Sequence, residues 1–357
     1  MKTTQSIALT ATLVLALAGF NATQVEAMVP QSQLSLTSNR VLYNQAAWVQ
    51  LPGMSVTFGA MEAGETRLLT ARLLATNYTR GTPVQQAIAV RCYDSNGALS
   101  GLIGQAAENH TGYSTSAGGN YPVTGQLAIV ENWLFSAPGA GSYSCSAWAS
   151  AASTALAPGV NALTALASGT YLKYSASPEP AAGQWRSNQC SSNGVTGCTY
   201  VGPGGAASAY ALYGSGAPGL TWFAEPSAVA LEGVTDIAVT TCNASTNSCQ
   251  VHGSTSFTSS TIDVQLQLIR IDSNGSTCQT FTNPSSGYTR FTVRDASHHQ
   301  KLHLHLARAA INTATCGGSR RFIIRALLVH VAGLPVKLDG EQGVTNLSSG
   351  FVMNLRS

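Results

Sequence analysis

The stretch TIDVQLQLIRID, Thr261 to Asp272, places Ile262, Val264, Leu266 and Leu268 two residues apart, with Asp263, Gln265 and Gln267 between them. A helix of period 3.6 scatters those apolar residues around its axis. A pleated strand gathers them on one face, because successive side chains point to opposite sides. The segment is therefore expected to be a strand with one dry face and one wet face, and Asn274-Gly275 beyond it marks a turn. Working outward, the same period of two recurs at residues 54–58, 67–75, 86–93, 126–135, 142–148, 235–242, 288–294, 302–306 and 322–331. No long stretch has helical period. Short strands between Gly-, Ser-, Asn- and Pro-rich turns predict an all-β fold of two antiparallel β-sandwich domains.

The first 27 residues read as an export signal. Lys2 gives a positive start, residues 7–20 are mostly apolar, and Val25-Glu26-Ala27 offers small side chains for cleavage. No later run approaches the roughly 20 apolar residues of a membrane helix, so no membrane span is expected. The mature chain divides at SASPEPAAGQ, Ser175 to Gln184, whose two prolines and small residues suggest an exposed connector. The expected domains are an N-terminal sandwich over residues 28–175 and a C-terminal sandwich over residues 233–357. The linker and aromatic-rich segment between them, residues 176–232, is assigned to the second. Charged residues make up 9% of the 357, and the net charge is +3. That charge is too small for a nucleic-acid footprint, and no Lys/Arg run with interleaved aromatics occurs.

Eight cysteines suit an oxidising compartment, secreted or periplasmic. Spacing favours the short pairs Cys190–Cys198 and Cys242–Cys249, leaving Cys92–Cys145 and Cys278–Cys316 as longer bridges that staple the fold. Structural zinc would need Cys-x2–4-Cys spacing, and none is present. In QQAIAVRCYD, Ile88, Val90 and Cys92 share a face; in GAGSYSCSAWA, Tyr143, Cys145 and Ala147 do. Two inward cysteines could then bridge two packed sheets. The Gly141-x-Tyr143-x-Cys145 pattern resembles the Tyr-x-Cys corner of immunoglobulin-like domains, although the Trp those domains carry after the first Cys is missing from NGALSGLIGQ. The region from Trp48 to Trp148, including WVQLPGMSVTFGAMEAGETRLLTARLLA, also resembles secreted bacterial β-sandwich modules of unassigned function, immunoglobulin-like or jelly-roll-like. That resemblance implies a fold and no activity.

Four of the seven histidines fall within eight residues, in ASHHQKLHLHLARA. If Leu302, Leu304 and Leu306 face the core, then His299, Lys301, His303 and His305 face away from it. The reading adopted is a solvated strand face on which histidine serves as a neutral polar residue. A metal site is the alternative. His303 and His305, about 6.6 Å apart at ~3.3 Å rise per residue, could share a zinc with His330 as third ligand. Three objections stand against it. Lys301 lies on the same face, and a simple hairpin pairing Leu306 with Arg321 sets His330 opposite His298. No Asp or Glu within the segment supplies a second-shell acceptor. A pH-sensitive basic patch for an anionic surface is the third reading.

No nucleophile elbow, His-Glu-x-x-His, Cys-x-x-Cys or P-loop occurs. A glycosidase pair could come from Glu108, Glu131, Glu179, Glu225, Glu232, Asp236 or Asp263, and spacing does not choose among them. For ligand binding the candidates are Trp185, Tyr200, Tyr210, Tyr213 and Trp222, whose flat faces suit sugar stacking. The expected function is that of an exported, non-catalytic protein binding a glycan, an envelope component or a cell-surface protein, with no cofactor. The alternative is a secreted hydrolase, either a glycosidase or a zinc-dependent enzyme.

Overall fold

The structure, a computed structural model, describes residues 31–45, 47–77, 84–99, 107–111, 126–153, 155–179, 181–187, 200–202, 209–211, 222–241, 260–293, 300–333, 335–338 and 348–355. The export signal read at residues 1–27 lies outside them. So do Tyr213, His298, His299 and Cys190, Cys198, Cys242 and Cys249.

The described elements are strands, apart from one short 3-10 turn at Cys316–Gly318. The N-terminal half holds β1 (Gln31–Ser35), β2 (Arg40–Tyr43), β3 (Val49–Met61), β4 (Thr66–Thr76), β5 (Val84–Asp94), β6 (Ala107–Thr111), β7 (Gln126–Ser136), β8 (Gly141–Ala152), β9 (Asn161–Ala165) and β10 (Tyr171–Ser175). The C-terminal half holds β11 (Ala181–Ser187), β12 (Tyr200–Val201), β13 (Ala209–Ala211), β14 (Trp222–Phe223), β15 (Ala230–Thr241), β16 (Ser260–Ile271), β17 (Thr277–Asn283), β18 (Thr289–Val293), β19 (Gln300–Ala310), β20 (Arg321–Ala332), β21 (Val336–Leu338) and β22 (Ser348–Leu355).

Four antiparallel sheets result. In the first half, β1-β10-β4-β9-β2 form one sheet, with β7 along the other edge of β4, and β3-β8-β5-β6 form the second. In the second half, β11-β22-β15-β21-β12 form the third, with β19 on β15. The fourth is β13-β20-β16-β17, with β14 on β20 and β18 on β16. Each half encloses its own core. Leu69, Leu73, Val90, Trp133 and Ala147 lie in the first; Ile262, Val264, Leu266, Leu268, Leu304 and Ile324 lie in the second. Burying each Leu or Ile contributes roughly 1.5–3 kcal/mol, so alternation along β16 and β19 is enforced by the hydrophobic effect. The described strands between residues 181 and 223 pair with β20, β21 and β22, all in the second half.

The wet face read on β16 is only partly wet. Gln267 and Ile269 on that face are buried, and Arg270, on the opposite face with Leu268, is fully buried. The Arg270 guanidinium donates to the Ser319 and Asn312 carbonyls at 2.7 Å and to Thr315 Oγ1 at 3.0 Å. Burial, with Arg320 nearby, lowers its pKa from the usual arginine value. Asp263 instead meets Arg290 across the β16–β18 pair, at 2.8 and 3.0 Å. That bidentate hydrogen bond holds its carboxyl below the usual carboxylate range. Strand β3 breaks register between Gln50 and Ser55, where Gly53 has φ +80 and a Cβ would lie 2.6 Å from Thr37 Cγ2. Only glycine fits that approach.

The Cys92–Cys145 bridge forms, but not between sheets. Cys92 and Cys145 are directly opposed on neighbouring strands β5 and β8 of one sheet. The inward alternation was read correctly. It carries no information on whether two inward positions belong to facing sheets or to adjacent strands. At the start of β8 the Tyr143 hydroxyl donates to the Gly139 carbonyl at 2.7 Å. The second bridge, Cys278–Cys316, joins β17 to the turn after β19.

Candidate functional site

The histidine stretch lies on β19 as a strand, with Leu302, Leu304 and Leu306 in the second core. Its other face does not meet water, which corrects the solvated reading. The Lys301 side chain is 3% exposed, His303 17% and His305 9%. The covering groups come from β15, the in-sheet neighbour, and from β7 of the first sandwich. Alternation along one strand could not reveal that a second module covers the polar side.

The contacts run rung by rung. Lys301 Nζ lies 3.4 Å from the Glu131 carboxylate of β7. His303 Nδ1 lies 2.6 Å from Asp236 Oδ1, and the two residues are register partners on β19 and β15. His305 Nε2 pairs with Glu232 Oε1, at the bulge in β15. Asn132 of β7 completes the middle rung. Its backbone N–H donates to Asp236 Oδ2 at 3.1 Å and its side-chain amide to Oδ1 at 3.3 Å, while its own Oδ1 accepts from Thr70 at 2.8 Å. Among the described strands β7 pairs only with β4, so Asp236 satisfies an edge N–H of the opposite sandwich. Asp236 is fully buried and accepts three hydrogen bonds, one from the imidazole and two from Asn132. His303 Nδ1 also lies 3.0 Å from the Asn132 side-chain amide nitrogen, so imidazole, amide and carboxylate form one cluster. His303 Nε2 is buried without a hydrogen-bond partner among the described residues.

Glu179, in the turn after β10, joins this seam. It is 3% exposed and accepts from Ser175 Oγ at 2.6 Å. Burial raises its pKa above the ordinary 4.5; the Ser175 hydrogen bond opposes this, the Glu232 charge adds to it, and Arg67 opposes it. Three buried carboxyls, Glu131, Glu232 and Asp236, thus face Lys301, His303 and His305, and a fourth, Glu179, lies in the field of Glu232. A group whose folded pKa is raised favours folding below its unfolded value and loses that contribution as pH rises through the folded value. Glu179→Gln, which mimics the acid form, is therefore expected to raise Tm by an amount that grows from pH 4 to pH 8. A Tm loss growing with pH would instead make Glu179 an ionised partner of the seam.

Of the seven carboxylates the sequence left undifferentiated, the structure brings these four to the seam. Asp263 pairs with Arg290, Glu108 stands on β6, and Glu225 follows β14. His330 does not join His303 and His305. It lies on β20, opposite Ile262 of β16, in the other sheet of the sandwich. The hairpin pairing Leu306 with Arg321 is not formed, because β19 pairs with β15 and β20 with β16. Among the described residues no three His, Cys, Asp or Glu side chains are grouped to hold a metal ion. The aromatic candidates are likewise dispersed. Trp185 on β11 and Tyr200 on β12 sit at opposite edges of the third sheet. Tyr210 and Trp222 pair with Leu328 and Phe322 of β20, six residues or about 20 Å apart, and Trp222 packs on the second core. The signal for the seam was present in the sequence as a run of Lys and His alternating with Leu; the acceptors, 67 to 170 residues away, carried none.

Fold and site together define an all-β, disulfide-stapled chain of two sandwiches joined through a buried ionic seam. No protein-family model matches the chain, and no curated protein matches it. Among solved structures it is similar to the tandem CBM22 domains of Xyn10C from Paenibacillus barcinonensis, at 11% identity and TM-score 0.22 over 90% of this chain and 93% of that one. It is also similar to a protein of infectious bursal disease virus, Gx strain, at 9% identity and TM-score 0.24 over 92% and 77% of the two chains. A third is PNGF-II, at 9% identity and TM-score 0.30 over 92% and 65%. None reaches a TM-score of 0.5, and the functional reading rests on this chain's own residues.

Proposed function

We propose that the chain is an exported, non-catalytic binding protein in which the seam fixes two sandwiches as one rigid body that presents its outer faces to a glycan, an envelope component or a cell-surface protein. One observation carries this reading: Lys301, His303 and His305, the residues best suited to chemistry, are each engaged by an intramolecular carboxylate in a largely buried junction. Two disulfides among the described residues suit an oxidising compartment outside the cytoplasm. No described helix is long and apolar enough to cross a membrane.

A second reading, a secreted glycoside hydrolase, is favoured by a single feature. Glu179 and Glu232 are buried and electrostatically coupled, with Glu179 held toward its acid form, the pattern of an acid and a base set apart by environment. Incubating the full-length protein with a panel of polysaccharides and aryl glycosides, beside a glycan array, separates the two. Binding without turnover is the expected outcome. Turnover abolished by Glu179→Gln or Glu232→Gln would replace the binding reading with the hydrolase.

A further inference from the structure

The outer face of the β3-β8-β5 sheet carries a side-chain arrangement unlike the rest of the surface. Arg91 of β5 lies between two indoles, its guanidinium carbon 4.7 Å from the Trp148 ring centre and 5.4 Å from that of Trp48. All three are half-buried. Trp148 is pinned by its indole N–H, which donates to Ser146 Oγ at 2.9 Å. Beside them Thr57 and Ser144 present a hydroxyl pair across the β3–β8 rung. Among the described residues Arg91 makes no hydrogen bond or ion pair with a carboxylate. On the outward positions of β3, β5 and β8 that flank it, the described neighbours are Gln, Ser, Thr, Ala, Trp and Tyr.

We propose that this face docks an acidic polysaccharide built of uronic acid units, with Arg91 reading the sugar carboxylate. The inference rests on the binding reading above and names its ligand class. Stacking on two indoles leaves the edge of the guanidinium, where its N–H groups lie, as the part that meets an incoming acceptor. A planar carboxylate matches that fork with two parallel hydrogen bonds. Indole faces take the C–H face of a pyranose ring, and hydroxyl side chains accept and donate to ring hydroxyls. Among the described outward positions of β3, β5 and β8 Arg91 is the one cation, while Glu108 and His110 share this face on β6 in register with Ala87 and Gln85; the Arg91 charge favours an anionic sugar over a neutral one. Its position between rigid aromatic groups holds the fork in place before binding, which lowers the ordering cost.

The test uses the full-length protein and three probes by isothermal titration calorimetry: polygalacturonate, its fully methyl-esterified form and dextran sulfate. The wild type is expected to bind polygalacturonate, at least tenfold more tightly than either of the others. Arg91→Gln and Trp148→Ala should each weaken polygalacturonate binding at least tenfold, and Arg91→Lys by a smaller factor, because it keeps the charge but not the fork. Melting curves confirm that each variant is folded; where Arg91→Gln is not, Arg91→Lys decides. Equal binding of the esterified chain, equal binding of dextran sulfate, unchanged affinity in folded Arg91 variants, or no binding to polygalacturonate would each overturn the proposal. Binding to another glycan on the array that survives Arg91→Gln would overturn it while leaving the binding reading intact. A protein that binds no array component and no polysaccharide would remove both.

Discussion

Asp236→Ala is expected to cost about 3–5 kcal/mol of folding stability, the size found when one partner of a buried ion pair is removed. The carboxylate is fully buried and closes three hydrogen bonds from two sandwiches. Its loss leaves the Asn132 backbone N–H without this acceptor and opens the cluster in which the Asn132 amide and His303 Nδ1 also touch, 3.0 Å apart. Asp236→Asn keeps a similar volume and one acceptor, so a smaller loss is expected. The double variant Asp236→Leu with His303→Leu removes both polar partners and should lose less than Asp236→Ala alone, because no unpaired charge remains. Urea unfolding read by tryptophan fluorescence measures each loss, and the cycle built with His303→Ala isolates the coupling. A loss below about 1 kcal/mol for Asp236→Ala, the range of exposed ion pairs, would show the seam to be solvated and would reopen the reading of these histidines as a wet face.

Replacing Cys92 and Cys145 together by Ala is expected to cost about 4 kcal/mol, the loop-closure value for a closed loop of this size. The bridge spans 53 residues of sequence, and both cysteines are fully buried. It therefore restrains an unfolded chain that would otherwise sample many more states, and it does so within one sheet rather than across the sandwich. Direct β5–β8 pairing over Gln85–Asp94 persists without it, so the variant should fold, with its far-ultraviolet circular dichroism retained and its urea midpoint lowered. A midpoint unchanged from the wild type would mean that the bridge contributes nothing beyond the strand pairing. Loss of the β-signal at zero denaturant would mean that the sheet depends on it.

How far the sequence carries is clearest on β16 and β19. The alternation of Ile262, Val264, Leu266 and Leu268, and of Leu302, Leu304 and Leu306, put every one of those side chains in the core. Period-two segments at residues 54–58, 67–75, 86–93, 126–135 and 142–148 fall inside β3, β4, β5, β7 and β8. The strands that escaped notice, β1, β2, β9, β10 and β22 among them, are mostly four to eight residues long. Over so few residues the apolar pattern is weak, and pairing with neighbours defines them instead. The seam was half legible. Lys301, His303 and His305 stood out, while Glu131, Asn132 and Asp236 lay in segments that read as ordinary strands and Glu232 closed the linker segment.

By itself the sequence determined the strand content and the inward faces of β5, β8, β16 and β19, and it favoured pairing Cys92 with Cys145 and Cys278 with Cys316 without deciding among the possible connectivities. These follow from local periodicity and from spacing along the chain. Only the tertiary structure decided that the polar side of β19 meets carboxylates instead of water, that His330 stands in the other sheet, and that Arg91 lies between Trp48 and Trp148. A period of two tells which residues share a face. What that face touches depends on strand order and on the docking of one sandwich against the other, and both are set by contacts between residues far apart in the chain.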